Sequence, residues 1–124
     1  MSYTVNITDA AENDLRAVFS YIAFELQSYA NAVGQLERLE SAIHALSEMP
    51  ERYRRYDKEP WHSRGLRRMS VDRYCVFYIP DLDKKTVEII RVMYGGRDIE
   101  RRMSEYAEEA EQRTTSGYGK KTGL

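Results

Sequence analysis

Six arginines and four aromatic residues gather in the second half of this chain. Arg64, Arg67, Arg68 and Arg73 lie close together, Arg91 and Arg97 follow, and Trp61, Tyr74, Tyr78 and Tyr94 are interleaved with them. A guanidinium is planar, permanently charged and rich in paired donors, so it matches the oxygens of a phosphate. A tyrosine ring can stack on a base, and its hydroxyl can move a proton. A metal-free ribonuclease needs such parts: cations to stabilise a phosphorane, a base for the ribose hydroxyl and an acid for the leaving oxygen. No positioned His, Lys or Glu base stands out beside the arginines. Polyanion binding is therefore the broad reading of this constellation and catalysis the narrow one. The plainer alternative is that sheet arginines and tyrosines pack at edges or pair with Asp72, Glu88 and Asp98.

Other chemistries fit less well. His44 and His62 are 18 residues apart and have no ligand-spaced partner, which argues against a zinc centre, and no metal or cofactor is expected. Gly95-Gly96 precedes a helix, but a lone Gly-Gly is too weak a signal for a nucleotide fold. No Gly-x-Ser-x-Gly elbow occurs. The single cysteine, Cys75, sits in the most apolar segment and reads as a core residue.

The elements that must position these groups follow from periodicity. Tyr3 to Ile7 alternates and reads as a short strand. Asp9 is the expected helix N-cap, with Glu12 completing a capping box. Leu15, Val18, Phe19, Ile22 and Leu26 then form one apolar helix face. Ser28 is expected to cap a second helix, with a stripe of Val33, Leu36, Leu39, Ile43 and Leu46 and with Pro50 beyond its end. Residues 9–48 should thus form an antiparallel helical hairpin. Residues 51–65 have no period and read mostly as loop. Three strand-like runs follow, Leu66 to Ser70, Val71 to Ile79 and Thr86 to Tyr94. The middle run is apolar enough to be covered on both faces, and residues 80–85 carry turn chemistry. Ile99, Met103, Tyr106 and Ala110 mark a final amphipathic helix. The expected fold is a two-layer α+β domain: an N-terminal strand at a sheet edge, the helical hairpin, a three-stranded antiparallel meander and a C-terminal helix. One domain over residues 1–112 is expected, with 113–124 as a flexible tail.

Composition agrees with a single reduced domain. The chain has 124 residues, of which 42% are hydrophobic, too many for a disordered chain. No run is apolar for the roughly 18 residues that span a bilayer, and no signal peptide is evident, so a cytoplasmic protein without a membrane partner is expected. The net charge of -1 hides an asymmetry. Residues 1–50 hold seven acidic and two basic residues, whereas 51–102 hold fourteen basic and nine acidic. Charge sorted in this way points to a polyanionic partner on one face.

Four motifs in this order resemble the RelE/ParE family of bacterial toxins from type II toxin–antitoxin systems. Ala10-Ala11-Glu12-Asn13-Asp14-Leu15 with Tyr21-Ile22 opens the hairpin, and Ile43-His44-Ala45-Leu46 through Pro50 closes it. Gly65-Leu66-Arg67-Arg68-Met69 leads into Tyr74-Cys75-Val76-Phe77-Tyr78, and Ile90 through Asp98 ends the sheet. The resemblance spans residues 3–103. It implies a growth-inhibiting toxin neutralised by a cognate antitoxin, in a heterotetramer or larger complex. The antitoxin of such pairs wraps the toxin and can displace its C-terminal helix. Family members either block DNA gyrase or cleave messenger RNA on the ribosome.

By position, Arg67, Arg68 and Arg97 would be the phosphate-facing cations of a RelE-like nuclease, while Arg64, Arg73, Arg91, Tyr74 and Tyr94 would contact the target. The chain departs from the nuclease pattern at Cys75, where a Tyr-Arg-x-x-Tyr motif would place arginine. Losing that charge is worth on the order of 3 kcal/mol by analogy with one oxyanion donor. Arg73 or Arg91 would have to replace it. Met103 or Ser104 stands where a terminal tyrosine acid is expected, and Tyr106 is the nearby candidate. A non-toxic, degenerate interaction module is the alternative from another functional class.

Overall fold

The computed structural model describes residues 2–96 and 98–122, and side chains as far as residue 111. The chain begins with strand β1 (Thr4–Ile7) and passes directly into helix α1 (Asp9–Ser20). The cap is Thr8, one residue earlier than expected: its hydroxyl oxygen accepts from the Ala11 amide at 3.2 Å. The same hydroxyl donates to the Ile89 carbonyl at 2.7 Å, so one side chain serves the helix and the sheet together. Glu12 turns outward to Arg16 at 2.7 Å.

Helix α1 ends in a wide π-helical turn, Tyr21–Glu25. The extra residue per turn swings the following side chains around. Ile22 and Ala23 stay buried, but Leu26, expected in the apolar face, is 56% exposed, and Phe24 beside it is 71% exposed. Gln27, at φ 52°, reverses the chain into α2 (Tyr29–His44), where Ser28 holds the cap position without a side-chain bond. The buried stripe of α2 is Ala32, Gln35, Leu39 and Ile43, so Val33 and Leu36 are only half-buried. Gln35 belongs in that stripe because its amide donates to Asp72 Oδ2 at 2.9 Å. A buried polar group with a partner is tolerated.

The meander is β2 (Arg67–Val71), β3 (Tyr74–Asp81) and β4 (Thr86–Tyr94). Sheet order is β1-β4-β3-β2, with β1 parallel to β4 and the other pairs antiparallel. A bulge at Phe77/Tyr78 shifts the β3–β4 register. Strand β1 covers β4 only from Thr86 to Ile89. Beyond that point α1 takes over the edge, where Asp14 Oδ2 accepts from the Val92 amide at 2.8 Å. On the other edge, Arg55 bridges Arg67, and the Arg68 amide donates to Arg54 O at 3.0 Å.

The α+β arrangement has the helical hairpin on one sheet face, where Leu15, Val18, Leu39, Ile43 and Leu46 meet Val76, Tyr78 and Ile89. The opposite face is also covered, as the apolar run of β3 requires. There Cys75, Phe77 and Met93 lie beneath Tyr56, Trp61 and Leu66 of the loop and beneath Ile99, Met103 and Ala107 of α3 (Ile99–Thr122). The expected tail coincides with the end of α3 and the residues after it, and its side chains lie outside the described residues. No helix among the described residues is long and apolar enough to cross a membrane.

Candidate functional site

One end of the sheet, where β2 turns into β3 and β4 finishes, opens into a cleft of about 880 Å³ between the hairpin tip and the start of α3. Its apolar wall is Val18, Tyr21, Ile22, Leu26 and Val92, and its rim carries Arg38, Asp72, Arg73, Tyr94 and Arg102. The two-residue turn at Asp72-Arg73 creates this rim. Asp72 sits at φ 54°, a left-handed conformation that a short polar residue tolerates. Arg38 Nε donates to its carboxylate at 2.8 Å. The Arg38 and Gln35 hydrogen bonds hold the Asp72 carboxyl below its usual range.

Arg73 projects to the phenol of Tyr94, whose hydrogen bond raises the guanidinium above its ordinary value. Tyr94 is half exposed and meets Tyr74 edge-to-face at 5.5 Å between centroids. Burial, then the neighbouring Tyr94, pushes the Tyr74 phenol up. Gly95 makes the close approach possible: its amide donates to Arg73 O at 2.7 Å, and a Cβ there would stand 3.0 Å from that oxygen. A shallower recess continues past the turn, lined by Arg68, Ser70, Cys75 and Gly95 as well as Arg73 and Tyr94.

The arginines singled out from sequence separate into groups. Arg67 points inward, donating to Tyr53 O at 2.7 Å and Glu51 O at 3.2 Å, and its Nε is buried without a partner. It braces the 51–53 segment rather than presenting a cation to solvent. Arg91 is likewise engaged, bidentate to Asp14 at 2.7 and 2.8 Å, which raises its pKa. Arg64, Arg68 and Arg73 are exposed. Arg97 lies outside the described residues. The structure thus brings Arg73, Tyr74 and Tyr94 into the cleft, with Arg68 in the adjoining recess. Arg64 lies elsewhere, over the Trp61 ring at 5.0 Å.

That ring begins a stack which ties the cover of the second face together. Trp61 lies parallel to Tyr106 at 5.9 Å, Arg91 sits 4.8 Å above Tyr106, and Asp14 grips Arg91. Trp61 Nε1 also donates to the Met103 carbonyl at 2.8 Å. Tyr106, the sequence candidate for a terminal acid, is therefore a packing element of this stack.

Chemically, the cleft joins an apolar wall to a rim of guanidiniums and a phenol. Each resolved shift among the described residues carries its group away from neutral pH: the carboxyls of Glu59 and Asp72 go down, the phenols of Tyr56, Tyr74 and Tyr78 and the guanidiniums of Arg73 and Arg91 go up. A general base at work near pH 7 needs the opposite tuning. Sequence reasoning missed Asp14, Gln35, Arg38 and Arg102. The roles of Asp14, Gln35 and Arg38 rest on partners far along the chain, Arg102 is placed by the approach of α3 to the cleft, and no local pattern marks any of them.

What the fold and the site define is a small α+β protein with a cationic and aromatic cleft at one end of its sheet. Its sequence matches the model of the ParE toxin of type II toxin–antitoxin systems, parDE, over residues 5–99, so the chain belongs to the ParE toxin family. No curated protein sequence matches it. Among solved structures it is similar to the chromosomal ParDE system of P. aeruginosa (14% identity, TM-score 0.64, covering 77% of this chain and 98% of that one). It also resembles the RelBE2 toxin–antitoxin complex of Mycobacterium tuberculosis (25% identity, TM-score 0.53, 76% and 99% covered). A double mutant of the E. coli toxin RelE in the free state shares the fold (19% identity, TM-score 0.54, 91% and 98% covered).

Proposed function

We propose that this toxin arrests growth by holding DNA gyrase through its cleft rather than by cleaving messenger RNA, and that a cognate antitoxin neutralises it. The observation that carries the reading is the second sheet face. Where a RelE-like nuclease would place an arginine, Cys75 is packed with Phe77 and Met93 under α3. Of the two substitutes considered from sequence, Arg91 is locked to Asp14 on one side and Tyr106 on the other, and Arg73 is turned to Tyr94 at the cleft rim. The nearest guanidiniums among the described residues, Arg68 and Arg73, line the recess past the turn and do not stand on β3 itself. The ParE family match supports gyrase as the target, since ParE-like members inhibit that enzyme.

The cleft suits a protein surface. Tyr21, Phe24, Leu26 and Tyr29 are exposed around the hairpin tip and adjoin a rim of arginines and Tyr94, the residue types that anchor interfaces. The test is induction of the chain alone, with plasmid supercoiling and transcript integrity followed together. Lost supercoiling with intact messages is expected, along with rescue by the antitoxin. Messages cut on ribosomes with normal supercoiling would overturn the reading.

A further inference from the structure

The residues from 51 to 68 carry seven basic and three acidic side chains, a net of +4 in a chain whose total is -1. Their pairing is uneven. Glu51 is taken by Arg67, Glu59 by Ser63 and His62, and Lys58 reaches Glu100 at 4.0 Å. Among the described residues, Arg54, Arg64 and Arg68 have no carboxylate partner, and all three are exposed. Arg54 and Arg68 are also neighbours. The Arg68 amide bonds to Arg54 O at 3.0 Å, and Arg55 pairs with Arg67, so alternation along this ladder sets Arg54 and Arg68 on the same side. Arg68 lies over Phe77 of β3 at 5.9 Å and Arg64 over Trp61 of the covering loop at 5.0 Å, two rings of the one apolar cluster on the second sheet face.

We propose that Arg54, Arg64 and Arg68 form a strip along the β2 edge that binds the phosphate backbone of double-stranded DNA without reading its sequence. Aromatic placement favours a duplex over a single strand. Proteins that hold single strands stack bare bases on exposed rings. Here the rings beneath the strip are sealed: Phe77 is 0% and Trp61 4% exposed. The exposed rings of Tyr21, Phe24 and Tyr29 lie at the cleft and hairpin tip instead. Tyr94, which borders the recess that Arg68 also lines, is paired edge-to-face with Tyr74 and hydrogen-bonded to Arg73. What the strip offers is therefore paired N–H donors to phosphates, which position a duplex but carry no base information.

Duplex DNA is what gyrase acts upon, so the strip lets the toxin grip enzyme and duplex together. That extension rests on the gyrase reading, whereas the binding itself does not. The decisive measurement is fluorescence anisotropy of a short labelled duplex with the purified full chain and no gyrase present. Three phosphate contacts predict about a twentyfold loss of affinity between about 50 and 150 mM salt. The triple variant R54Q/R64Q/R68Q is expected to lose at least about tenfold at low salt and to flatten that dependence. The matching lysine variant should keep most of the affinity, and Arg16→Gln on the opposite layer should change nothing. Failure of the intact chain to bind the duplex at low salt would overturn the proposal without touching gyrase inhibition, which supercoiling assays read separately. Tighter binding to a single-stranded RNA of equal length, or unaltered binding by a folded glutamine variant, would overturn it too.

Discussion

Along β3, Tyr74, Val76 and Tyr78 turn toward the helical hairpin, while Cys75 and Phe77 turn toward α3 and the 53–66 loop. Both sets are buried, yet their covers differ in kind. The hairpin cover is two long helices that lie within residues 5–99, the span matched by the family. The cover of the second face draws on α3, which starts at Ile99, where that match ends. It is held by a ladder running from Arg64 through Trp61, Tyr106 and Arg91 to Asp14. The first face is covered from within the family span; the second is a smaller apolar cluster closed by α3 and the loop and pinned by a few directional contacts. Regions held in this way open below the free energy of global unfolding.

The comparison breaks most visibly at Leu39, which is fully buried in the hairpin core. Leu39→Ala should cost about 3–4 kcal/mol, read as a lower midpoint in urea. Met103→Ala, equally buried beneath the second cover, should cost about 2 kcal/mol and increase the rate at which a thiol reagent labels Cys75. Equal global losses with no change in labelling would make the two faces alike.

Next comes the alkaline limb. Tyr78 donates to the Pro50 carbonyl at 2.7 Å, and burial pushes its phenol up to about 12. The folded state therefore keeps a proton that the unfolded chain releases near pH 10. Stability from this source is complete below pH 10 and is lost as pH rises toward 12, by roughly 3 kcal/mol in all. Tyr78→Phe should remove that slope while lowering stability at neutral pH. A variant with the same alkaline slope as the parent would contradict the assignment. On the second face, burial also raises the Tyr56 phenol, so a weaker alkaline effect is expected from Tyr56→Phe.

The smallest effect should come from Trp61→Phe, which deletes the indole bond to Met103 and keeps most of the stack. About 1 kcal/mol is expected. It should appear as faster Cys75 labelling, with little change in the urea midpoint if the second cover opens on its own.

Elements whose evidence lies within ten or twenty residues were legible in the sequence. The apolar run of β3, the limits of β4 at Thr86 and Tyr94, the existence of the hairpin and the burial of Cys75 all follow from local pattern. Leu26 did not follow, because one π-helical turn rotates everything after Ile22, and no periodicity announces that turn. The site was legible in residue type but not in pairing. Arg67 and Arg73 look alike in sequence, yet one braces a loop and the other rims a cleft. What separates them is the company of Glu51 and Tyr53 for one and of Tyr94 for the other. Gln35 with Asp72 and Asp14 with Arg91 are joined across 37 and 77 positions, distances at which spacing carries no signal.

The treatment of the sheet's borders has a consequence for how this chain behaves when crowded. A bare strand edge invites copies to zip together into fibrils. Here β1 is only four residues long, the far half of β4 has Asp14 seated on its Val92 amide, and Arg54 and Arg55 shield the start of β2 with charge. Each is a different device against the same hazard. Guards of this kind disfavour the pairing of one copy's strand edge with another's when molecules are crowded together.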